Sequence, residues 1–119
     1  MADFAASFQA IEELLRSAGD SVMGKFDRFT FKMLVNNLKS PDFQVVKDTL
    51  EQLAGEKRAV AIPPVYYVYA EHPDNRLRIV AEKALHDLDP SQEWQTVTKD
   101  KSTKDAVMVL IQKYGNFRG

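Results

Sequence analysis

Cysteine is absent from this sequence, and histidine occurs only twice in 119 residues. Without cysteine there is no disulfide framework, no thiolate nucleophile and no cysteine-ligated zinc or iron–sulfur cluster, and the composition fits a reducing compartment. A zinc site built on His72 and His86 would require side chains from a predicted turn and a predicted helix to converge with carboxylates. Solvent exposure of both histidines is the simpler interpretation, so we predict no metal site.

Catalytic motifs are also missing. Gly19, Gly24 and Gly55 are isolated and lack the spacing of a phosphate-binding loop, and no serine lies in a Gly-x-Ser-x-Gly elbow. Asp48 and Glu51 form a carboxylate pair, but they fall on a predicted polar helix face, whereas catalytic carboxylates must be desolvated in a cleft. We therefore predict a protein that is not an enzyme and that carries no cofactor.

Neither a long hydrophobic run nor an excess of one charge is present. The longest apolar stretch, Ala59–Ala70, contains two prolines and is shorter than the roughly 20 residues of a membrane-spanning helix. The first residues lack the basic and apolar regions of an export signal. A net charge of -1 provides no positive field to attract nucleic acid, and residues 99–119 carry only a mild positive excess. We expect a cytoplasmic protein with no membrane span and no nucleic-acid partner.

Hydrophobic residues make up 45% of the sequence and charged residues 28%, which is ordinary for one folded domain spanning residues 1–119. Apolar residues recur at steps of three and four along most of the chain, and this spacing indicates amphipathic helices. The tyrosine-rich run after Pro64 favours a strand locally, but a single strand would have no pairing partner, so we predict helix there. The predicted helices cover residues 4–18, 31–38, 41–54, 62–69, 74–88, a short segment at Trp94, and 103–114.

Capping residues lie between the predicted helices. Ser40 is predicted to cap the third helix, with Pro41 in its first position and Gly55 just past its end. Asp89 opens the short helix at Trp94 in the same way, and Ser102 begins a capping box for the last helix. These signals divide the chain into short helices joined by tight turns.

An internal repeat emerges when the sequence is set against itself at an offset of 32. In each copy an apolar helix is followed by a Pro-Asp turn and an amphipathic helix, which indicates one helical hairpin used twice. The aligned pairs are Pro41 with Pro73, Asp42 with Asp74, Val45 with Leu77, and Leu53 with Leu85.

The second copy, residues 61–85, resembles a HEAT repeat of the short type found in phycobilin-lyase-like proteins. Pro73-Asp74 falls on the turn of that repeat and Arg78 on its usual arginine, whereas the first copy departs from the pattern with Val46 at the arginine position. The resemblance covers about residues 30–88.

This resemblance implies an all-α fold, a short right-handed stack of helical hairpins of the HEAT-like α-solenoid kind. The family stacks its hairpins into a curved slab, and partners bind the face lined by the second helices. Its members carry several more hairpins than the two seen here. Two hairpins bury too little surface alone, so we expect residues 1–19 and 90–114 to form capping helices at the two ends.

The leading functional prediction is a non-catalytic protein–protein interaction module, an adaptor or assembly factor. The alternative that the resemblance implies is a phycobilin-lyase-like or phycobilisome-related factor that handles a bilin pigment or its apoprotein. Apolar surface left uncovered by the capping helices would favour a homodimer with a two-fold contact.

Aromatic and basic residues of the second hairpin are the candidates for partner binding. Three tyrosines within four positions of one helix span about 300°, so at least one of them reaches the surface. Ile79 faces away from the apolar stripe of its own helix. In the bilin alternative, Tyr66, Tyr69, Arg76 and Arg78 contact the pigment. The predicted partner-binding residues are Tyr66, Tyr69, Arg76, Arg78, Ile79, Lys83 and Trp94.

Overall fold

Helix is the regular secondary structure throughout residues 33–34, 36–57 and 61–114, the residues that the computed structural model describes. The predicted all-α class is confirmed for this part of the chain, and the tyrosine-rich run is helical as expected. The predicted capping helix over residues 1–19, the apolar positions Phe31 and Val35, and the tail after Tyr114 lie outside the described residues. In chain order the helices are α1 (Phe43–Glu56), α2 (Ile62–Glu71), α3 (Asn75–Leu88), α4 (Glu93–Thr98) and α5 (Thr103–Tyr114).

Helices α1 and α3 begin and end at positions 32 residues apart, the offset found in the sequence. Each has 14 residues, and each follows an aspartate N-cap. The Asp42 carboxylate accepts a hydrogen bond from the Gln44 N–H at 2.8 Å, and the Asp74 carboxylate accepts one from the Arg76 N–H at 2.9 Å. The predicted helix start at Ser40 and Pro41 is therefore wrong by two residues, because the carboxylate of Asp42 satisfies the free N–H groups of the first turn.

The N–H of each capping aspartate also donates a hydrogen bond to the side chain two positions earlier, and the two bonds are again 32 residues apart. The Asp42 N–H donates to Ser40 Oγ at 3.0 Å, and the Asp74 N–H donates to His72 Nδ1 at 2.9 Å. This geometry requires His72 to keep Nδ1 unprotonated. Burial lowers the pKa of His72 and outweighs the opposing effect of the Asp74 carboxylate. His72 therefore holds its turn as a neutral imidazole.

We expect His72→Ser to make the protein less sensitive to mild acid. Serine supplies the same acceptor that Ser40 supplies in the first copy, but it does not titrate in this range. Because the folded-state pKa of His72 is lowered, its neutral form contributes stability above the unfolded pKa of about 6.5, and that contribution is lost as pH falls. Urea unfolding of both proteins between about pH 5 and pH 7.5 checks this prediction. Parallel pH profiles for the two proteins would contradict it.

The end of α1 also differs from the expectation that Gly55 follows the helix. Gly55 lies inside α1, which continues to Glu56. Lys57 then takes the left-handed conformation with φ of 54°, and its N–H donates to the Ala54 carbonyl at 3.2 Å. Local propensity would place glycine at the left-handed position. The helix instead runs two residues beyond its predicted end at Ala54, and Lys57 rather than Gly55 takes the left-handed position.

The core lies where the amphipathic stripes of the helices meet. Helix α3 packs against both α1 and α2, and α5 packs against α2 and α4. None of the helices in the described ranges combines the length and the apolar character needed to cross a membrane. The largest fully buried aliphatic side chains are Leu38, Leu50, Ile62, Leu77, Leu85 and Leu110.

A buried carboxylate joins the last three helices. Asp89 is only 8% exposed and caps the end of α3. Its Oδ2 accepts hydrogen bonds from the Trp94 N–H at 3.2 Å and from the Tyr114 hydroxyl at 2.9 Å, while Oδ1 accepts one from the Ser91 hydroxyl. Burial alone raises the pKa of Asp89, but these hydrogen bonds outweigh it and leave the pKa below its ordinary value. The network fixes α4 and α5 against the second hairpin.

Candidate functional site

A groove of about 570 Å³ runs between α1 and α3, the two helices related by the 32-residue offset. Its floor is apolar and consists largely of small side chains. Leu50 is fully buried, Ala54 and Ala84 are buried, and Val80 is half-buried against the core. The floor is open at Gly55, because a Cβ atom there would meet no other atom within 4 Å. Another polypeptide could therefore come close to the backbone of α1 at this point.

Charged side chains form the rim of the groove. The Lys47 ammonium pairs with the Glu51 carboxylate one turn further along α1, at 3.1 Å. Lys57 stands at the end of α1, and Lys83 and Asp87 stand on α3. No ion pair engages these last three side chains within the described ranges. Among the described residues, the rim therefore presents two ammonium groups and one carboxylate that form no ion pair.

Two residues of the groove are poor choices for folding alone. Glycine inside a helix is less favourable than alanine by up to about 1 kcal/mol, and the space around Gly55 would accept alanine. A left-handed backbone disfavours a side chain by about 1 kcal/mol, yet Lys57 adopts it. Alanine at position 55 and glycine at position 57 would each make α1 more stable. The residues present instead keep the floor open at Gly55 and put an ammonium group on the rim at Lys57, and departures of this kind cluster at functional sites.

Gly55→Ala and Lys57→Gly should each raise the free energy of unfolding by about 0.5–1 kcal/mol. The first change removes a glycine from helical backbone, and the second places glycine where φ is positive. Urea unfolding followed by circular dichroism measures both. A decrease in stability for either variant would show that the wild-type residue serves the fold. Gln52→Ala, at an exposed position of α1 outside the groove, is the control.

The predicted aromatic residues form a cluster between α2 and α4. Tyr66 and Trp94 are only 8% and 2% exposed, while Tyr69 is half-buried. The Trp94 ring meets Tyr66 at 6.0 Å and Tyr69 at 5.5 Å between ring centroids, both edge-on. Burial raises the pKa of Tyr66. The structure thus places Tyr66 and Trp94 in the core, and Tyr69 is the member of the cluster that reaches the surface.

The two predicted arginines are held by contacts within the chain. Arg76 donates from Nε and from a terminal nitrogen to the two oxygens of Asp74, at 3.1 and 2.8 Å, and its guanidinium lies 4.2 Å from the centre of the Phe43 ring. Because Phe43 begins α1, this stacking ties the starts of α1 and α3 together. The Arg78 Nε donates to the Tyr69 carbonyl at 3.1 Å, which holds the turn between α2 and α3. Both side chains remain exposed, but their hydrogen-bonding groups are partly occupied.

Of the remaining predicted residues, Lys83 lines the groove and Ile79 is 53% exposed elsewhere on α3. The structure therefore does not bring the seven predicted residues into one site. Sequence reasoning missed Gly55 and Lys57 as groove residues, because it assigned the glycine to a helix cap. The detectable signal was a lysine two positions after a glycine at the end of an amphipathic helix.

Comparisons with protein-family models, curated proteins and solved structures each gave no match to this chain. Within the described residues, no group of three His, Asp or Glu side chains lies close enough together to hold a metal ion. The groove offers small apolar contacts and exposed charges, which are components of a recognition surface.

Proposed function

We propose that this protein is a non-catalytic protein-binding module that takes its partner in the groove between α1 and α3. The observation that carries the proposal is the groove between two helices 32 positions apart, which is open at Gly55 and carries Lys57 and Lys83, two lysines without an ion pair among the described residues. The resemblance of residues 30–88 to HEAT-like hairpins supports it, since in that family the second helices of successive hairpins line the binding face. On that resemblance, α1 and α3 correspond to the second helices of the two copies.

The alternative function, handling of a bilin pigment, depends on aromatic side chains that can reach a ligand. Tyr66 is buried against Trp94, and Arg76 is engaged in two hydrogen bonds with Asp74. Of the four side chains assigned to pigment contact, Tyr66 is therefore buried, and Arg76 is exposed but paired with Asp74. Protein binding in the groove requires no such rearrangement and is the function that we propose.

Co-purification from the native lysate tests this proposal. Three tagged baits are compared: wild type, Gly55→Gln, which fills the open floor, and Gln52→Ala, which alters an exposed position outside the groove. We expect a stoichiometric, uncoloured protein with wild type and Gln52→Ala, and its loss with Gly55→Gln. Visible absorbance retained by all three baits would overturn the proposal in favour of the bilin alternative. A partner retained equally by all three would show that binding does not use the groove.

A further inference from the structure

The charges on the groove rim indicate what kind of partner it accepts. Lys47 and Glu51 neutralise each other at 3.1 Å. Lys57 and Lys83 stand on opposite sides of the groove, one at the end of α1 and one on α3. Asp87, four positions after Lys83 on α3, is the carboxylate of the rim that forms no ion pair in the described part of the chain. The rim therefore carries a net positive charge where the floor is open, although the whole chain has a net charge of -1. A carboxylate-bearing partner matches this local field.

The shape of the groove indicates the secondary structure of that partner. The groove is lined by residues 47–57 on the α1 side and by residues 80–87 of α3, which correspond to about 15 Å and about 11 Å of helix axis. Ala54, Gly55 and Ala84 let a third backbone approach closely, and the aliphatic stems of the rim lysines extend the apolar walls. A helix that lies along the groove would contact it over about two to three turns, as in other helix-in-groove interactions.

We infer that the groove binds an acidic, amphipathic helix of a partner protein. The apolar face of that helix lies over the half-buried side chain of Val80 and approaches α1 most closely at Gly55, which is exposed. Its carboxylates meet the ammonium groups of Lys57 and Lys83. This inference rests on the proposed function and adds to it the secondary structure and charge of the partner.

Three labelled 14-residue peptides test the inference directly. They share one Leu/Ala apolar face, and their polar faces carry glutamate, glutamine or lysine. Fluorescence anisotropy at low salt should show the glutamate peptide binding about tenfold more tightly than the lysine peptide, with the glutamine peptide between them. Raising the salt concentration should reduce the preference, because the rim charges are exposed. Gly55→Gln should abolish binding of all three peptides.

Charge reversal provides the decisive variant. Lys57→Glu combined with Lys83→Glu should make the protein prefer the lysine peptide. Lys99→Glu combined with Lys104→Glu changes the net charge equally at exposed positions outside the groove, and should leave the preference for the glutamate peptide intact. A labelled oligonucleotide of similar length is included, and groove-dependent binding tighter than that of the glutamate peptide would assign the surface to nucleic acid and overturn the inference.

Two other outcomes overturn it. Equal binding of the glutamate and lysine peptides would show that rim charge does not select the partner. If none of the three peptides binds, the groove does not accept an amphipathic helix. In both cases a lysate partner lost with Gly55→Gln would leave the proposed function standing, whereas the absence of any Gly55-dependent partner overturns the proposed function itself.

Discussion

Trp94→Ala should lower the free energy of unfolding by roughly 3–5 kcal/mol, enough to unfold much of the population of a marginally stable domain. The indole ring is 2% exposed and contacts Tyr66 and Tyr69 edge-on. Its Nε1 has no hydrogen-bond partner among the described side chains and backbone, so packing accounts for the whole effect. Urea unfolding monitored by circular dichroism measures the loss.

Ile79→Ala is the matched control for this prediction. Ile79 was predicted to bind a partner together with Trp94. Unlike Trp94 it is 53% exposed, so its truncation should change the free energy of unfolding by no more than about 0.5 kcal/mol. Trp94 is also the only tryptophan in the chain, so its fluorescence reports its own burial. A loss below about 1 kcal/mol for Trp94→Ala would contradict its placement in the core and would restore it as a surface contact.

Asp89→Ala should cost about 3 kcal/mol, the second large effect. The change leaves the Trp94 N–H and the Tyr114 hydroxyl without their acceptor. The site is buried, since Asp89 is only 8% exposed, so water cannot easily replace the lost acceptor. Tyr114→Phe removes one donor while keeping the ring and the carboxylate, and should cost about 1 kcal/mol. Equilibrium unfolding of both single variants and of the double variant gives the coupling free energy between Asp89 and Tyr114. We expect it to be well above zero, because the two side chains share a hydrogen bond.

Acid should weaken the same network. The pKa of Asp89 lies below its ordinary value in the folded protein, so the stability that the carboxylate contributes is present above its unfolded pKa of about 3.9 and is lost as pH falls through the folded value. Asp89→Asn lacks this titration. An unfolding free energy that falls equally for wild type and Asp89→Asn between about pH 5 and pH 2 would contradict the role given to this carboxylate.

The pattern of these effects separates the residues of the core from the residues of the groove. Trp94 and Tyr66 should alter stability, whereas Gly55, Lys57 and Lys83 should alter binding with little or positive effect on stability. A groove residue whose replacement stabilises the fold and weakens binding is the strongest indication that it was retained for recognition.

The sequence by itself determined the local structure of the described chain. Spacing of apolar residues predicted the helices, and the Pro-Asp turns predicted where α1 and α3 begin to within two residues, because capping depends on side chains and backbone groups only a few positions apart. The 32-residue offset was visible for the same reason, since each copy carries its own turn and its own amphipathic helix.

Only the tertiary structure decided which side chains remain accessible. Tyr66, Tyr69 and Trp94 look equally suited to an interface in sequence, but packing of α2 against α4 buries two of them. The groove exists because α1 and α3 lie side by side, so Gly55 and Lys83 become neighbours across 28 positions of chain. Burial and proximity of this kind arise from contacts between distant segments, and helical periodicity specifies a buried face without specifying what covers it.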